Sequence, residues 1–266
     1  MSYLKEQLCP PLLKRHLKGL FGTVRWHGDY PNWKSAAAAC SGYDAPQIAQ
    51  NVLEKTLAVI RGEAAFERDG VAFSGIEFNW PALACILSAA EAASGRLDVL
   101  DFGGSLGSFF HQHRQFLSGE KQWHVVEQAH YVELGKSHLH EKGLHFHFTI
   151  QECLQVASPT LAYVSSVLPY LPDPWSILDE MTAGPFTHLL VDRTQFTDNT
   201  ADRLTVQRVS GSICASSYPC RFFSRAAFLN RLSAQWEIMA EWDDLVDPCN
   251  LSGCRFLGMF FKRRAA

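Results

Sequence analysis

Asp98-Val-Leu-Asp-Phe-Gly-Gly-Ser-Leu-Gly-Ser-Phe-Phe110 reads as strand, glycine-rich turn and helix. An apolar run, Val99-Leu100, ends on Asp101, and Gly103, Gly104, Ser105 and Gly107 follow before Phe109-Phe110. Glycines let the backbone turn sharply and let a ligand lie close to it. The helix that follows offers unpaired N–H groups to a polar or anionic ligand.

On the C-terminal side of this stretch, strands and helices alternate. Strands are expected at Leu97–Phe102, Trp123–Glu127, His145–Phe148, Leu161–Ser165 and His188–Asp192. Helices are expected at Ser108–Leu117, Tyr131–Lys142 and Trp175–Met181. Short apolar strands alternating with helices imply a parallel sheet covered on both faces, an α/β fold of Rossmann-like type. The end breaks the pattern: a helix over Phe222–Leu232, then strands Trp236–Trp242 and Arg255–Phe261 with no helix between them. Two consecutive strands without a crossover pair antiparallel or leave the sheet.

The N-terminal side reads differently. Residues 1–95 form a helical, aromatic-rich extension or lid, and residues 96–266 the sheet domain. Pro10-Pro11 opens an amphipathic helix with Leu12, Leu13, Leu17 and Leu20 on one face, read as docked on the body or as a membrane-surface or partner helix. Further helices are expected at about 32–40, 46–62 and Pro81–Ala93, with a small hairpin at Phe66–Phe73 around Asp69-Gly70.

A glycine-rich turn after a first strand fits a dinucleotide or S-adenosylmethionine. Phe102 stands where the leading glycine of G-x-G-x-x-G would fall, which weakens the dinucleotide match. Glu127 closes the second strand twenty residues after Gly107. A carboxylate there accepts hydrogen bonds from ribose hydroxyls in either ligand class.

Asp101-Phe-Gly-Gly-Ser-Leu-Gly107 resembles the acidic-x-G-x-G-x-G motif of class I S-adenosylmethionine-dependent methyltransferases, with Ser105 in place of the middle glycine. A terminal antiparallel strand pair is a hallmark of the same superfamily. Gly28-Asp-Tyr-Pro-Asn-Trp33, Gly42-Tyr-Asp44, Ser165-Ser-Val-Leu-Pro-Tyr-Leu171, Asp192-Arg-Thr194 and Ala215-Ser-Ser-Tyr-Pro-Cys220 resemble a little-characterised bacterial methyltransferase family. The resemblance implies a parallel sheet with a C-terminal antiparallel pair, S-adenosylmethionine as cofactor, and methyl transfer to a small-molecule or glycan acceptor. It implies cofactor contacts from Asp101, Gly103, Gly104, Ser105, Gly107, Glu127, Gln151, Ser165 and Ser166. Thr149 and Glu152 share the window of Gln151; Phe148 reads first as core and second as a neighbour of adenine.

On the acceptor side the candidates are Tyr30, Trp33, Tyr170, Asp192 and Arg193, with Tyr43 and Tyr218 nearby. Asp192 and Arg193 bind a polar acceptor or brace a loop, and the N-terminal aromatics form a lid or pack in the core. Asp192 and His27 are the weak candidates for a general base, needed only if the acceptor must lose a proton. Two other readings stay open: a non-catalytic binding or assembly module on the same fold, and an NAD-dependent oxidoreductase.

Composition bounds these readings. The chain has 266 residues, 47% hydrophobic, with a formal net charge of -3 and no sustained basic patch, which argues against nucleic acid. No apolar run is long enough to span a bilayer, and homo-oligomerisation is left open. Eight scattered cysteines without C-x-x-C and without a secretory signal read as reduced thiols in a cytoplasmic protein, with Cys249 and Cys254 an improbable pair. No metal site is expected: His145 and His147 share a strand face, but no third ligand stands out.

Overall fold

A computed structural model describes residues 24–41, 45–117, 119–209, 216–244 and 249–265. The N-terminal amphipathic segment, Tyr43 and Asp44 lie outside the described residues.

Residues 24–95 supply β1 (Val24–His27), α1 (Trp33–Ala38), α2 (Ala45–Ile60), β2 (Phe66–Arg68), β3 (Val71–Phe73) and α3 (Trp80–Ala92). The expected hairpin is β2-β3: Asp69 (φ 54°) and Gly70 (φ 77°) both turn left-handed, as a two-residue turn of matching twist requires. Asn79 starts α3 by accepting a hydrogen bond from Ala82 N at 3.2 Å, and Pro81 follows in the first turn.

The alternating part runs β4 (Leu97–Phe102), α4 (Ser108–His113), β5 (Lys121–Val126), α5 (Ala129–His138), β6 (Leu144–His147), α6 (Ile150–Val156), β7 (Leu161–Ser165), α7 (Pro174–Ala183) and β8 (His188–Thr197). These five strands are parallel, in the order β6-β5-β4-β7-β8. The chain ends with β9 (Arg203–Val209), β10 (Ser216–Ser224), α8 (Arg225–Leu232), β11 (Trp236–Asp243) and β12 (Cys254–Arg263). β12 lies antiparallel to β8, and β11 antiparallel to β12. The Rossmann-like parallel sheet with its C-terminal antiparallel pair is therefore present.

Alternation along the strands divides the core. Val99, Trp123, Val125, Leu144 and Phe146 meet α2 and α3 on one face. Leu100, Val126, Ala162, Val164 and Val191 meet α6, α7 and α8 on the other. Each such buried Val, Leu or Phe side chain contributes roughly 1.5–3 kcal/mol of transfer free energy.

Three features differ from the sequence reading. β8 does not end at Asp192 but continues to Thr197, with Thr194, Gln195 and Thr197 buried. β7 stops opposite Asp192, and β10 takes its place beside Phe196 and Thr197. Phe222 belongs to β10 rather than to the last helix, which begins after its cap, Ser224. The N-terminal extension is not only helical, because β1 pairs with β9 and joins the main sheet. No described helix is long and apolar enough to cross a membrane.

Candidate functional site

The carboxyl ends of β4, β5 and β7 meet at one edge of the sheet, level with Asp192 midway along β8. Open parallel sheets bind ligands in the crevice outside such ends. At the end of β4 the chain turns through three left-handed residues, Gly103 (φ 72°), Ser105 (φ 56°) and Gly107 (φ 80°). Gly103 N donates to Val126 O at 2.9 Å, and Gly107 N donates to Gly104 O at 2.9 Å.

The glycines are required by the protein itself. A Cβ on Gly103 would lie 2.2 Å from Val167 Cγ2, and one on Gly104 would lie 2.3 Å from Asp101 Oδ2. Asp101 is 2% exposed and sits directly under the turn. Its Oδ2 accepts a hydrogen bond from Trp123 Nε1 at 2.9 Å. Burial raises its pKa to about 7. Asp101 thus braces the turn from below.

Glu127 follows β5 and is half-buried. Its Oε1 accepts from Ser105 N at 3.2 Å and its Oε2 from Gln128 N at 2.8 Å. Burial raises its pKa, against the lowering by these two N–H groups. An ionised carboxylate has about four acceptor sites, so lone pairs remain on both oxygens. After β6, Phe148 is 45% exposed, not a core residue as first read; its ring carries Lys136 Nζ 4.5 Å from its centroid. Thr149 caps α6 through Glu152 N at 3.0 Å, Glu152 accepts from Phe148 N at 2.8 Å, and Gln151 is exposed.

Ser165 and Ser166 close β7. Ser165 Oγ donates to Asp192 Oδ2 at 3.3 Å, and Ser166 N donates to Asp192 O at 3.1 Å. Asp192 is fully buried and also accepts from Asn79 Nδ2 at 2.8 Å. Burial, with Asp244 nearby, raises its pKa to about 6. Arg193 Nε faces Asp244 Oδ2 at 3.3 Å.

Of the acceptor-side candidates, Tyr30 and Trp33 are not brought to the side of Tyr170. Tyr170 donates its hydroxyl to Gln207 Oε1 at 2.9 Å and accepts from Gln195 Nε2 at 2.7 Å. Tyr30 and Trp33 pack on Leu204 and Val206. Residues 204 and 206 face opposite to Gln207 along β9, so these aromatics and Tyr170 lie on opposite sides of the strand. His27 is exposed and pairs with Val206 across the ladder, on the side of Tyr30.

Two residues at this edge had escaped the sequence reading. Asn79 also donates its N–H to His113 Nε2 at 3.0 Å, tying α3 and α4 to Asp192; its position before Trp80-Pro81 was a readable cap signal. Glu67 is 4% exposed and accepts from Ser108 Oγ at 2.6 Å and Gly70 N at 2.8 Å. It seats the β2-β3 hairpin on the helix that follows the glycine turn, and nothing in the sequence marks it.

No protein-family model and no curated protein matches the chain. Among solved structures it is similar to an S-adenosylmethionine-dependent methyltransferase from Clostridium acetobutylicum (10% identity, 68% of this chain and 89% of that one, TM-score 0.45). It is similar to the N-terminal domain of EvdMO1 with SAH bound (12%, 85% and 98%, TM-score 0.48). A third is the Burkholderia thailandensis 1,6-didemethyltoxoflavin-N1-methyltransferase (14%, 91% and 100%, TM-score 0.43). The fold itself rests on the strand order and register given above.

Two outcomes follow from the turn. Gly103→Ala collides with Val167, whereas Gly95→Ala, at a similar left-handed φ of 80°, meets nothing within 4 Å. Thermal unfolding should show Gly103→Ala less stable than Gly95→Ala by about 1–3 kcal/mol, the usual range for overpacking; equal stabilities would contradict the packing.

Asp101 has a folded-state pKa of about 7, above the ordinary value of 3.8. The folded chain therefore holds a proton that the unfolded chain has released, and this contribution to stability is lost as pH rises between about 4 and 7. Asp101→Asn keeps an acceptor for Trp123. Its stability relative to wild type should rise across that window in urea titrations, and a pH-independent difference would place the titration elsewhere.

Proposed function

We propose that the chain binds S-adenosylmethionine across the turn after β4 and transfers its methyl group to a small-molecule or glycan acceptor. The observation that carries this reading is the Glu127 carboxylate. It is fixed by one N–H on each oxygen, Ser105 N and Gln128 N, and keeps lone pairs for a ribose diol. The exposed ring of Phe148, one residue past β6, offers the adjacent apolar surface that a purine needs. The donor set thus fits a nucleoside cofactor.

The cofactor supplies a methyl group on a positively charged sulfonium; on transfer the carbon–sulfur bonding pair stays on sulfur. The chain's part is chiefly alignment, which is worth at best roughly 7–11 kcal/mol of the barrier. In this reading Glu127 holds the ribose, Asp101 holds the turn, and Ser165 and Ser166 face the cofactor from the neighbouring strand end. Asp192 is a positioning residue: buried, with Asn79 and Ser165 both donating to its Oδ2, it fixes the mouth between β7 and β8. An acceptor whose attacking atom already carries a free lone pair suits this site.

A binding module without turnover is the second reading. It is favoured by the enclosure of Asp192 and the outward placement of His27, which leave neither as a base within the mouth. Transfer of labelled methyl from S-adenosylmethionine to small molecules of a cell extract separates the two.

Glu127→Ala should bind S-adenosylhomocysteine more than about tenfold more weakly than wild type in isothermal titration, since hydrogen bonds to a charged acceptor are lost. Unchanged affinity would remove Glu127 from the site and the reading with it.

A further inference from the structure

On the face of the sheet under α6, four residues with metal-binding chemistry are buried together. Asp98 (8% exposed) is the second residue of β4, His124 (5%) lies in β5, His147 (7%) ends β6, and Cys153 (0%) comes down from α6. One ligand atom each from His124, His147 and Cys153 lies within 4.8 Å of the others. His124 Nδ1 and His147 Nε2 face each other at 3.0 Å. The opposite nitrogen, His124 Nε2, points to Asp98 Oδ1 at 3.5 Å. Neither of those two buried atoms has a hydrogen-bond partner. An apolar core position is an expensive place for such a group unless something binds it.

We infer that His124, His147 and Cys153 bind a zinc-class divalent cation, with Asp98 orienting His124. Two imidazoles and a thiolate form a borderline-soft set of the kind zinc takes, with a fourth position left for water. A histidine ligand ordinarily passes its other N–H to a carboxylate, which is the place Asp98 holds. The charges close: a dication, the Cys153 thiolate and the Asp98 carboxylate sum to zero in a buried volume.

The protons balance as well. His124 carries its proton on Nε2 toward Asp98, His147 carries its own on Nδ1, and both facing nitrogens offer lone pairs. The Cys153 S–H proton leaves to solvent as the sulfur–metal bond forms. Burial, with the neighbouring imidazoles, pushes His124 down to about 3 and burial also lowers His147, so both rings are neutral at pH 7. Burial pushes the metal-free Cys153 thiol up to about 12.

The spacing explains why the sequence hid the site. His145, not His124, looks like the partner of His147, but it is exposed and bonded to Gln122 Oε1 at 2.7 Å. The ion would tie β5, β6 and α6 together just below Glu127, whose N–H donates to His147 O at 3.1 Å. The site does not depend on the cofactor reading.

The full chain, purified from zinc-supplemented medium, should carry about one zinc per chain by mass spectrometric metal analysis. Metal-free chain titrated with Co2+ should give ligand-field bands and a thiolate-to-cobalt charge-transfer band that saturate at about one equivalent. Cys153→Ser should lose the charge-transfer band, His145→Ala should keep it, and Asp98→Asn should weaken metal binding by about 10–100-fold. Absence of zinc and of cobalt bands in a folded wild-type chain would overturn the inference. So would a charge-transfer band that survives Cys153→Ser, and if that variant does not fold, unchanged Co2+ affinity in folded Asp98→Asn does the same.

Discussion

The close packing of Gly104 on the Asp101 carboxylate is the constraint on which the site depends. A carboxylate 2% exposed is costly unless its oxygens are met, and Trp123 Nε1 meets one of them. No Cβ fits between the carboxylate and the turn, so the chain passes over Asp101 as bare backbone. That passage brings Ser105 N to Glu127 and fixes the end of β5 against the end of β4. The glycines of the turn are therefore needed first for the protein's own contacts, and the shape of the binding edge is the consequence.

The second organising feature is the length of β8. Its first half completes the parallel sheet beside β7, while its second half carries β10, β9 and β1 outward. The junction falls at Asp192, where Asn79 and Ser165 both donate to Oδ2 of a buried carboxylate. Beyond it a chain of polar side chains, Gln195, Tyr170, Gln207 and Tyr218, links β8, β9 and β10 through hydrogen bonds of 2.7–2.9 Å. These bonds tie the three strands together beyond the end of β7.

What was legible in the sequence follows from this physics. β4, β5, β7 and the first half of β8 are apolar runs buried on both faces, which periodicity detects, and β11 and β12 follow the last helix with no crossover to separate them. Asp101, the glycines and Glu127 were legible because their spacing along one strand–turn–helix unit is local. The second half of β8, Thr194-Gln-Phe-Thr197, was not: its polar residues are buried because other strands meet them. β9 and β10 were missed for the same reason, since Arg203–Val209 and Ser216–Ser224 carry charges, hydroxyls and a proline that read as loop. Asn79, Glu67 and the His124, His147 and Cys153 cluster are assembled across elements, and no single-element spacing encodes them.

The central claim is that a nucleoside cofactor lies over the turn after β4 with its sugar on Glu127. A crystal structure of the chain grown with S-adenosylhomocysteine tests it most directly. The account predicts both ribose hydroxyls within hydrogen-bonding distance of the Glu127 carboxylate and the purine beside Phe148. Ligand density elsewhere on the molecule, with Glu127 bonded only to Ser105 N and Gln128 N, would contradict it.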